Sequence, residues 1–171
     1  RPPPPLNLVG DYGGGGMVLA VGMLAALLEA RSSGKGQVVD AAMTDGAATL
    51  MSTFFGLRAQ GRWKNEREAN RLDGACPYYD TYECADGRFV AVGALEPQFF
   101  ALLVKGLGLD IADFATRDDP ATWPAMKAQF TRIFRSRPRD AWAQVFDGTD
   151  ACVAPVLDLH DAPRHPHNNA R

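Results

Sequence analysis

Cysteine, histidine and net charge are all scarce in this sequence, and each scarcity excludes something. The three cysteines among 171 residues are Cys76, Cys84 and Cys152. Their spacing suits neither a disulfide framework nor a zinc site, so buried thiols in a reducing, cytoplasmic setting are expected. The formal charge is -2, from 18 Lys+Arg against 20 Asp+Glu, which gives no general attraction for nucleic acid. Arg132, Arg135, Arg137 and Arg139 are mixed with Phe, Pro and Asp and read as a solvated helix face, not a phosphate track. No secretory leader pattern stands at the start, where Arg1 to Pro5 reads as a polyproline linker arriving from something upstream. The absence of an initiating Met and the abrupt Ala170-Arg171 ending lead us to expect a piece of a longer chain. The longest apolar run, Met17 to Leu28, is too short to span a bilayer, so no membrane partner is expected.

Glycine, by contrast, is concentrated. Gly10-Asp11-Tyr12-Gly13-Gly14-Gly15-Gly16 runs straight into the apolar stretch Met17 to Leu28. Asp is a favoured helix N-cap, glycine lets another molecule approach the backbone, and a helix N-terminus favours negative charge. We therefore expect a glycine-rich turn with Asp11 at its mouth, opening a helix. That helix is apolar almost all round and should be buried. For Asp11 itself the plain alternative to a catalytic carboxylate is a cap worth about 1 kcal/mol.

Ser32 to Gly36 should end the helix, and Gln37-Val38-Val39-Asp40-Ala41-Ala42-Met43 starts as a β-branched strand. A second helix is expected from Thr44 through Phe54, Phe55 and Leu57 to Ala59. Arg62 to Arg71 is charged around a single Trp63 and reads as a surface connector. Next comes Tyr79 to Cys84 and Arg88 to Gly93 about Ala85-Asp86-Gly87, a β-hairpin signal. Glu96-Pro97 opens a helix. Two amphipathic helices follow, over Thr122 to Phe134 and Pro138 to Phe146, and a last short strand lies within Asp150 to Leu157. The fold class expected is α/β, with a small α+β portion built on the hairpin.

Several phrases together carry a resemblance. They are Asn7 to Gly15, Gly34 to Met43, Leu72-Asp73-Gly74, Pro77 to Gly87 and Gly93 to Phe99. In order and spacing the set resembles the family III CoA-transferases, in particular their alpha-methylacyl-CoA racemase branch. The resemblance implies a longer chain with a large nucleotide-binding-type α/β domain and a small α+β domain. It places residues 1–43 in the large domain, 44–78 in a helical connector, 79–160 in the small domain and 161–171 in a return linker. It also implies an interlocked homodimer acting on acyl-CoA thioesters, with no separate cofactor because CoA is part of the substrate.

In the racemases a histidine and an aspartate exchange the proton beside the thioester. The aspartate falls on Asp11, and a glutamate of the small domain falls on Glu96. Gly10, Tyr12, Gly13, Leu72, Tyr79 and Leu95 are the expected substrate-lining residues. The histidine belongs to a region upstream of Arg1, for which His160, His165 and His167 are no substitutes. The plain reading of Glu96 is a carboxylate satisfying a helix dipole. Two other functions stay open. One is CoA transfer, with Asp11 as a nucleophile, although the transferases carry a glycine-rich loop where this chain reads Gly93-Ala94-Leu95-Glu96-Pro97. The other is a non-catalytic, truncated dimerisation module.

Overall fold

The structure, a computed structural model, describes residues 5–171. Most of the polyproline stretch at the start therefore lies outside the described residues. The chain is of mixed α/β class and divides into two compact units, Arg1–Lys64 and Asn65–Arg171.

In the first unit Leu8–Met17 winds as a π-helix that continues unbroken into α1 (Val18–Ser33). This corrects the expected glycine turn. Asn7 takes the N-cap position, and Asp11 lies inside the first turn. The wide winding is marked by the Tyr12 N–H donating to the Asn7 carbonyl, five residues back, at 3.1 Å. A Cβ on Gly13 would stand 3.1 Å from the Leu8 carbonyl oxygen, and one on Gly14 would stand 3.0 Å from that of Val9.

Glycine costs a helix roughly 0.5–1 kcal/mol per residue relative to alanine, which is why the run looked like a turn. Packing overrides that propensity here. Helix α2 (Met43–Leu50) lays Gly46 on the backbone of Gly14, so closely that a Cβ on Gly46 would overlap the Gly14 carbonyl. Two backbones can approach this closely only where both side chains are missing.

Helix α1 ends as expected at Gly34, whose φ of 76° allows its N–H to reach the Ala30 carbonyl at 2.8 Å. The strand expected from Gln37 is not formed, because residues 35–42 have no strand partner among the described residues. The single helix expected from Thr44 is broken at Met51 into α2 and α3 (Ser52–Ala59). Phe54 meets Trp63 edge to face at 5.0 Å.

Within this unit the helix expected to be buried is uncovered. Among the described residues of this unit only Gly14, Gly15 and Gly46 are buried, and Leu24 and Leu28 of α1 are 63% and 66% exposed. Counting the π-helical turns, Leu8–Ser33 is a 26-residue helix, long and apolar enough by length and composition to cross a membrane.

The second unit is built on a three-stranded antiparallel sheet, β1 (Tyr79–Glu83), β2 (Phe89–Gly93) and β3 (Val153–Pro155), in that spatial order. The hairpin turn closes through Gly87 at φ 73°, with the Cys84 N–H on the Arg88 carbonyl at 2.7 Å. Alternation along the strands sends Tyr82, Val90 and Val92 inward. Helices α4 (Pro97–Gly106), α5 (Trp123–Phe134), α6 (Arg139–Phe146) and the short α7 (Pro166–Asn169) follow the chain order expected, apart from α7.

Tyr82 stacks on Phe134 at 4.9 Å, and Phe134 meets Trp142 edge to face at 5.2 Å. Their polar tips are satisfied: the Tyr82 hydroxyl donates to the Pro77 carbonyl at 2.6 Å, and the Trp142 ring N–H to the Phe134 carbonyl at 2.8 Å. Cys76 and Cys84 are buried free thiols, whereas Cys152 is exposed, against expectation. Burial pushes the Cys84 thiol up to about 11, so it behaves as an apolar filler. Arg139 likewise departs from the solvated-face reading. Its side chain is buried and donates to Asp140 at 2.8 Å and to the Val156 carbonyl at 3.0 Å, while its backbone N–H, at the start of α6, donates to Asp86 in the hairpin turn.

The Leu72-Asp73-Gly74 phrase forms a tight loop around the Asp73 carboxylate. That carboxylate accepts from the Asn70 N–H at 2.8 Å, from the Asn70 side-chain amide at 2.7 Å and from the Ala69 N–H at 3.3 Å. Burial opposes its charge, but the hydrogen bonds from Asn70, Ala69 and Ala75 outweigh that effect and hold the carboxyl below its ordinary range.

Two outcomes are expected in urea denaturation followed by circular dichroism. Gly46→Ala should lower stability by at least about 1–3 kcal/mol, since the helix crossing must open. Gly56→Ala in α3, where a Cβ meets nothing within 4 Å, should be neutral or add up to about 1 kcal/mol. The reverse order would contradict the crossing. Asp73 stabilises when ionised, so its contribution is present above the unfolded value of about 3.9 and is lost as pH falls through the lower folded value. Asp73→Asn should therefore be less stable than the parent at pH 7, and the gap should close on acidification below about pH 4. A gap independent of pH would show that the charge is irrelevant.

Candidate active site

The outward face of the sheet in the second unit is the floor of an open groove of about 540 Å³. The same alternation that buries Tyr82 and Val90 turns Tyr79, Thr81, Ala91, Gly93 and Ala154 to this side. Ala91, Gly93 and Ala154 leave the middle of the floor nearly flat. Leu72, Asp73 and Gly74 form one wall and Cys152 part of another. Lys127, from α5, ties wall to floor, its Nζ standing 2.6 Å from the Asp80 carboxylate and 2.6 Å from the Gly74 carbonyl. Two expected substrate-lining residues, Leu72 and Tyr79, thus meet in one groove.

Leu95 and Glu96 follow Gly93 out of the groove floor. The Leu95 N–H turns back onto the Gly93 carbonyl at 2.9 Å, and Glu96 is the extended N-cap residue of α4 with Pro97 after it. Its side chain makes no cap hydrogen bond and is exposed. No partner for the Glu96 carboxylate is found among the described residues. It lies close enough to Cys152 that, after burial, its charge is the next cause raising that thiol above its ordinary value. Cys152 itself holds the left-handed backbone, φ 52°, and its carbonyl accepts the Gly93 N–H at 2.8 Å.

Gly10, Asp11, Tyr12 and Gly13 lie together in the π-helical turns of the first unit. Asp11 is exposed, with no side-chain partner among the described residues, and Tyr12 is exposed beside it. The carboxylate therefore stands at the positive end of a long helix without being used as its cap. The candidate site residues thus fall into two sets, one in each unit.

The histidines are engaged near the end of the second unit. His165 caps α7 by accepting the His167 N–H, and His160 is exposed. Asp158, His160 and Asp161 bring potential metal-ligand atoms within 4.8 Å of one another. The Arg164 guanidinium packs on the His160 ring, which opposes a cation there. Sequence reasoning gave no role to Asp73, Asp80 and Cys152 in the groove or to Lys127 beside it. Asp73 and Asp80 stood within the Leu72-Asp73-Gly74 and Pro77 to Gly87 phrases, whereas nothing pointed to Lys127 or Cys152.

Comparisons with known proteins bear on the family and the fold. Residues 2–171 match the family model described as CoA-transferase family III. The chain is 49% identical over 171 residues to alpha-methylacyl-CoA racemase of Mus musculus and 45% identical to that of Homo sapiens, covering 100% of this chain and 45% of each relative. It thus spans somewhat less than half the length of these curated relatives. A solved structure of a hypothetical protein from Mycobacterium tuberculosis superposes with a TM-score of 0.76 at 19% identity, covering 99% of this chain and 45% of that one. That match speaks for the fold alone. With the family match running over nearly every residue, the chain belongs to CoA-transferase family III.

Proposed function

We propose that the protein containing this chain interconverts (R)- and (S)-2-methylacyl-CoA thioesters by removing and returning the proton at C2. The observation that carries this reading is the identity of 49% and 45% to the two mammalian racemases, sustained over all 171 residues. Epimerisation needs a proton acceptor on one face of a planar enolate and a donor on the other. Asp11 serves one face, and a histidine from sequence upstream of Arg1 serves the other. The Asp11 side chain suits this role because it is exposed and its oxygens are not consumed by a cap.

The enolate oxygen needs donors held in place before charge develops. The backbone N–H groups of the first π-helical turn, ahead of the Tyr12 N–H that bonds the Asn7 carbonyl, are the candidates for that. Glu96 completes the site from the small domain, and Leu72, Tyr79 and Leu95 line it beside the acyl-CoA. CoA is part of the substrate, so no separate cofactor is invoked. A homodimer in which each site draws on both domains accounts for candidate residues split between two units.

On the same reading α1 is a core helix of the larger domain. Its uncovered Leu24, Leu27 and Leu28 are covered by the rest of that domain, since more than half the length of the relatives lies outside this chain. That assignment treats the long apolar helix as protein-facing, without a membrane, and is consistent with a cytoplasmic enzyme.

Deuterium incorporation at C2 of a 2-methylacyl-CoA in heavy water tests the chemistry. The full-length protein should catalyse it, and Asp11→Ala should lose about 100-fold or more. Absence of incorporation together with movement of CoA to a free acid would overturn the reading in favour of transfer. The 171-residue chain alone should show neither activity. Turnover by that chain would refute the need for an upstream histidine.

A further inference from the structure

Arg117 is an unusual core residue. Its side chain is only 12% exposed, and its guanidinium carbon sits 4.9 Å from the Tyr78 ring centre and 4.6 Å from that of Phe100. Two aromatic faces against a cation are favourable, and the Asp118 carboxylate lies 3.7 Å from Nε. One nitrogen, Nη1, is nonetheless buried with no hydrogen-bond partner among the described residues. An unused buried donor costs stability. A methionine would fill the same space between the rings without that cost. The rings and Asp118 favour a cation here, but they leave Nη1 without a partner and do not by themselves account for the guanidinium.

What a methionine cannot do is donate, and Arg117 donates in one functionally placed direction. Its Nη2 bonds the Leu95 carbonyl at 3.1 Å. That carbonyl shares a rigid peptide plane with the N–H of Glu96. The Glu96 carbonyl accepts the Phe100 N–H at 2.9 Å, and Pro97 restricts Glu96 to the extended region that it occupies at φ -73°, ψ 146°. Glu96 is thus gripped on both sides of its Cα while its carboxylate stays free. Arg117 is held in turn. Its carbonyl accepts the Trp123 ring N–H at 2.8 Å, and Tyr78 donates to the neighbouring Asp118 at 2.9 Å.

We propose that Arg117 is a positioning residue, whose guanidinium fixes the Leu95–Glu96 peptide so that the Glu96 carboxylate is presented to the acyl-CoA at a fixed height above the sheet. The assignment rests on the proposed role of Glu96 in proton exchange at C2. Misplacing a carboxylate by about 1 Å can cost on the order of 100-fold in rate with little effect on substrate binding.

The test uses the full-length protein with Arg117→Met, Arg117→Lys, Glu96→Gln and the double variant Arg117→Met/Glu96→Gln. Arg117→Met should lower kcat for C2 exchange roughly 10- to 100-fold with KM within about twofold, in a protein that still unfolds cooperatively. Arg117→Lys, which can still donate, should recover part of the rate. In the Glu96→Gln background Arg117→Met should add nothing, because a residue acting through Glu96 has no effect once that carboxylate is gone. Amide hydrogen exchange gives a readout that does not need activity: the Glu96 N–H should exchange faster in Arg117→Met than in the parent.

Unchanged amide exchange, full activity of Arg117→Met beside an impaired Glu96→Gln, or a full additive loss in the double variant would each overturn the positioning role. A fully active Glu96→Gln would overturn the role of Glu96 itself. That result is distinguishable because the amide-exchange arm still reports whether Arg117 holds the loop.

Discussion

The register of β1 on β2 is the constraint on which the second unit depends. Tyr82 pairs with Val90 and Thr81 with Ala91, so one face of the hairpin is large and apolar while the middle of the other is small and open. A slip by a single residue would exchange the faces. Tyr82 would leave Phe134, and the flat floor of the groove would be replaced by bulky side chains. The hairpin turn, the capping of α6 by Asp86 in that turn, and the Tyr82 hydroxyl on Pro77 all fix the same register from different directions. Core and groove are two sides of one choice.

In the first unit the corresponding constraint is the contact of Gly14 with Gly46. It shows why a glycine run can be helical: removing side chains on both partners lets the backbones meet, and that contact offsets the propensity cost. The crossing covers only a small area, however, and the apolar side chains of α1 stay exposed. So large an exposed apolar surface calls for something to cover it. This surface and the 45% coverage of the racemases have a common explanation in the proposed larger domain.

Local signals were legible in the sequence where the structure depends on local chemistry. Asp86-Gly87 marked the hairpin, Glu96-Pro97 the start of α4, and Gly34 the end of α1. Misreadings arose where distant parts of the chain decide. The glycine run reads as a turn because nothing local announces Gly46 as its partner. Gln37 to Met43 has strand-forming residues, but a ladder needs a neighbour that no described residue provides. The groove followed the same division. Leu72 and Tyr79 stood out by their motifs, whereas Lys127, 53 residues from the Gly74 carbonyl that it bonds, could be found only through the fold.

The two chemistries open to this family place different demands on the segment after β2. A nucleophilic aspartate that passes through covalent intermediates must accommodate acyl group and CoA in succession, and a mobile glycine-rich loop suits that sequence of guests. Proton exchange at one carbon has a single geometry to satisfy, and mobility there only spreads the carboxylate over unproductive positions. In this chain the segment is Gly93-Ala94-Leu95-Glu96-Pro97, held by the return of the Leu95 N–H onto Gly93, by the Arg117 bond to the Leu95 carbonyl, and by the ring of Pro97. Each restraint removes freedom that a transferase loop would use. The restraints on this one turn therefore suit the proposed proton exchange better than a sequence of covalent guests.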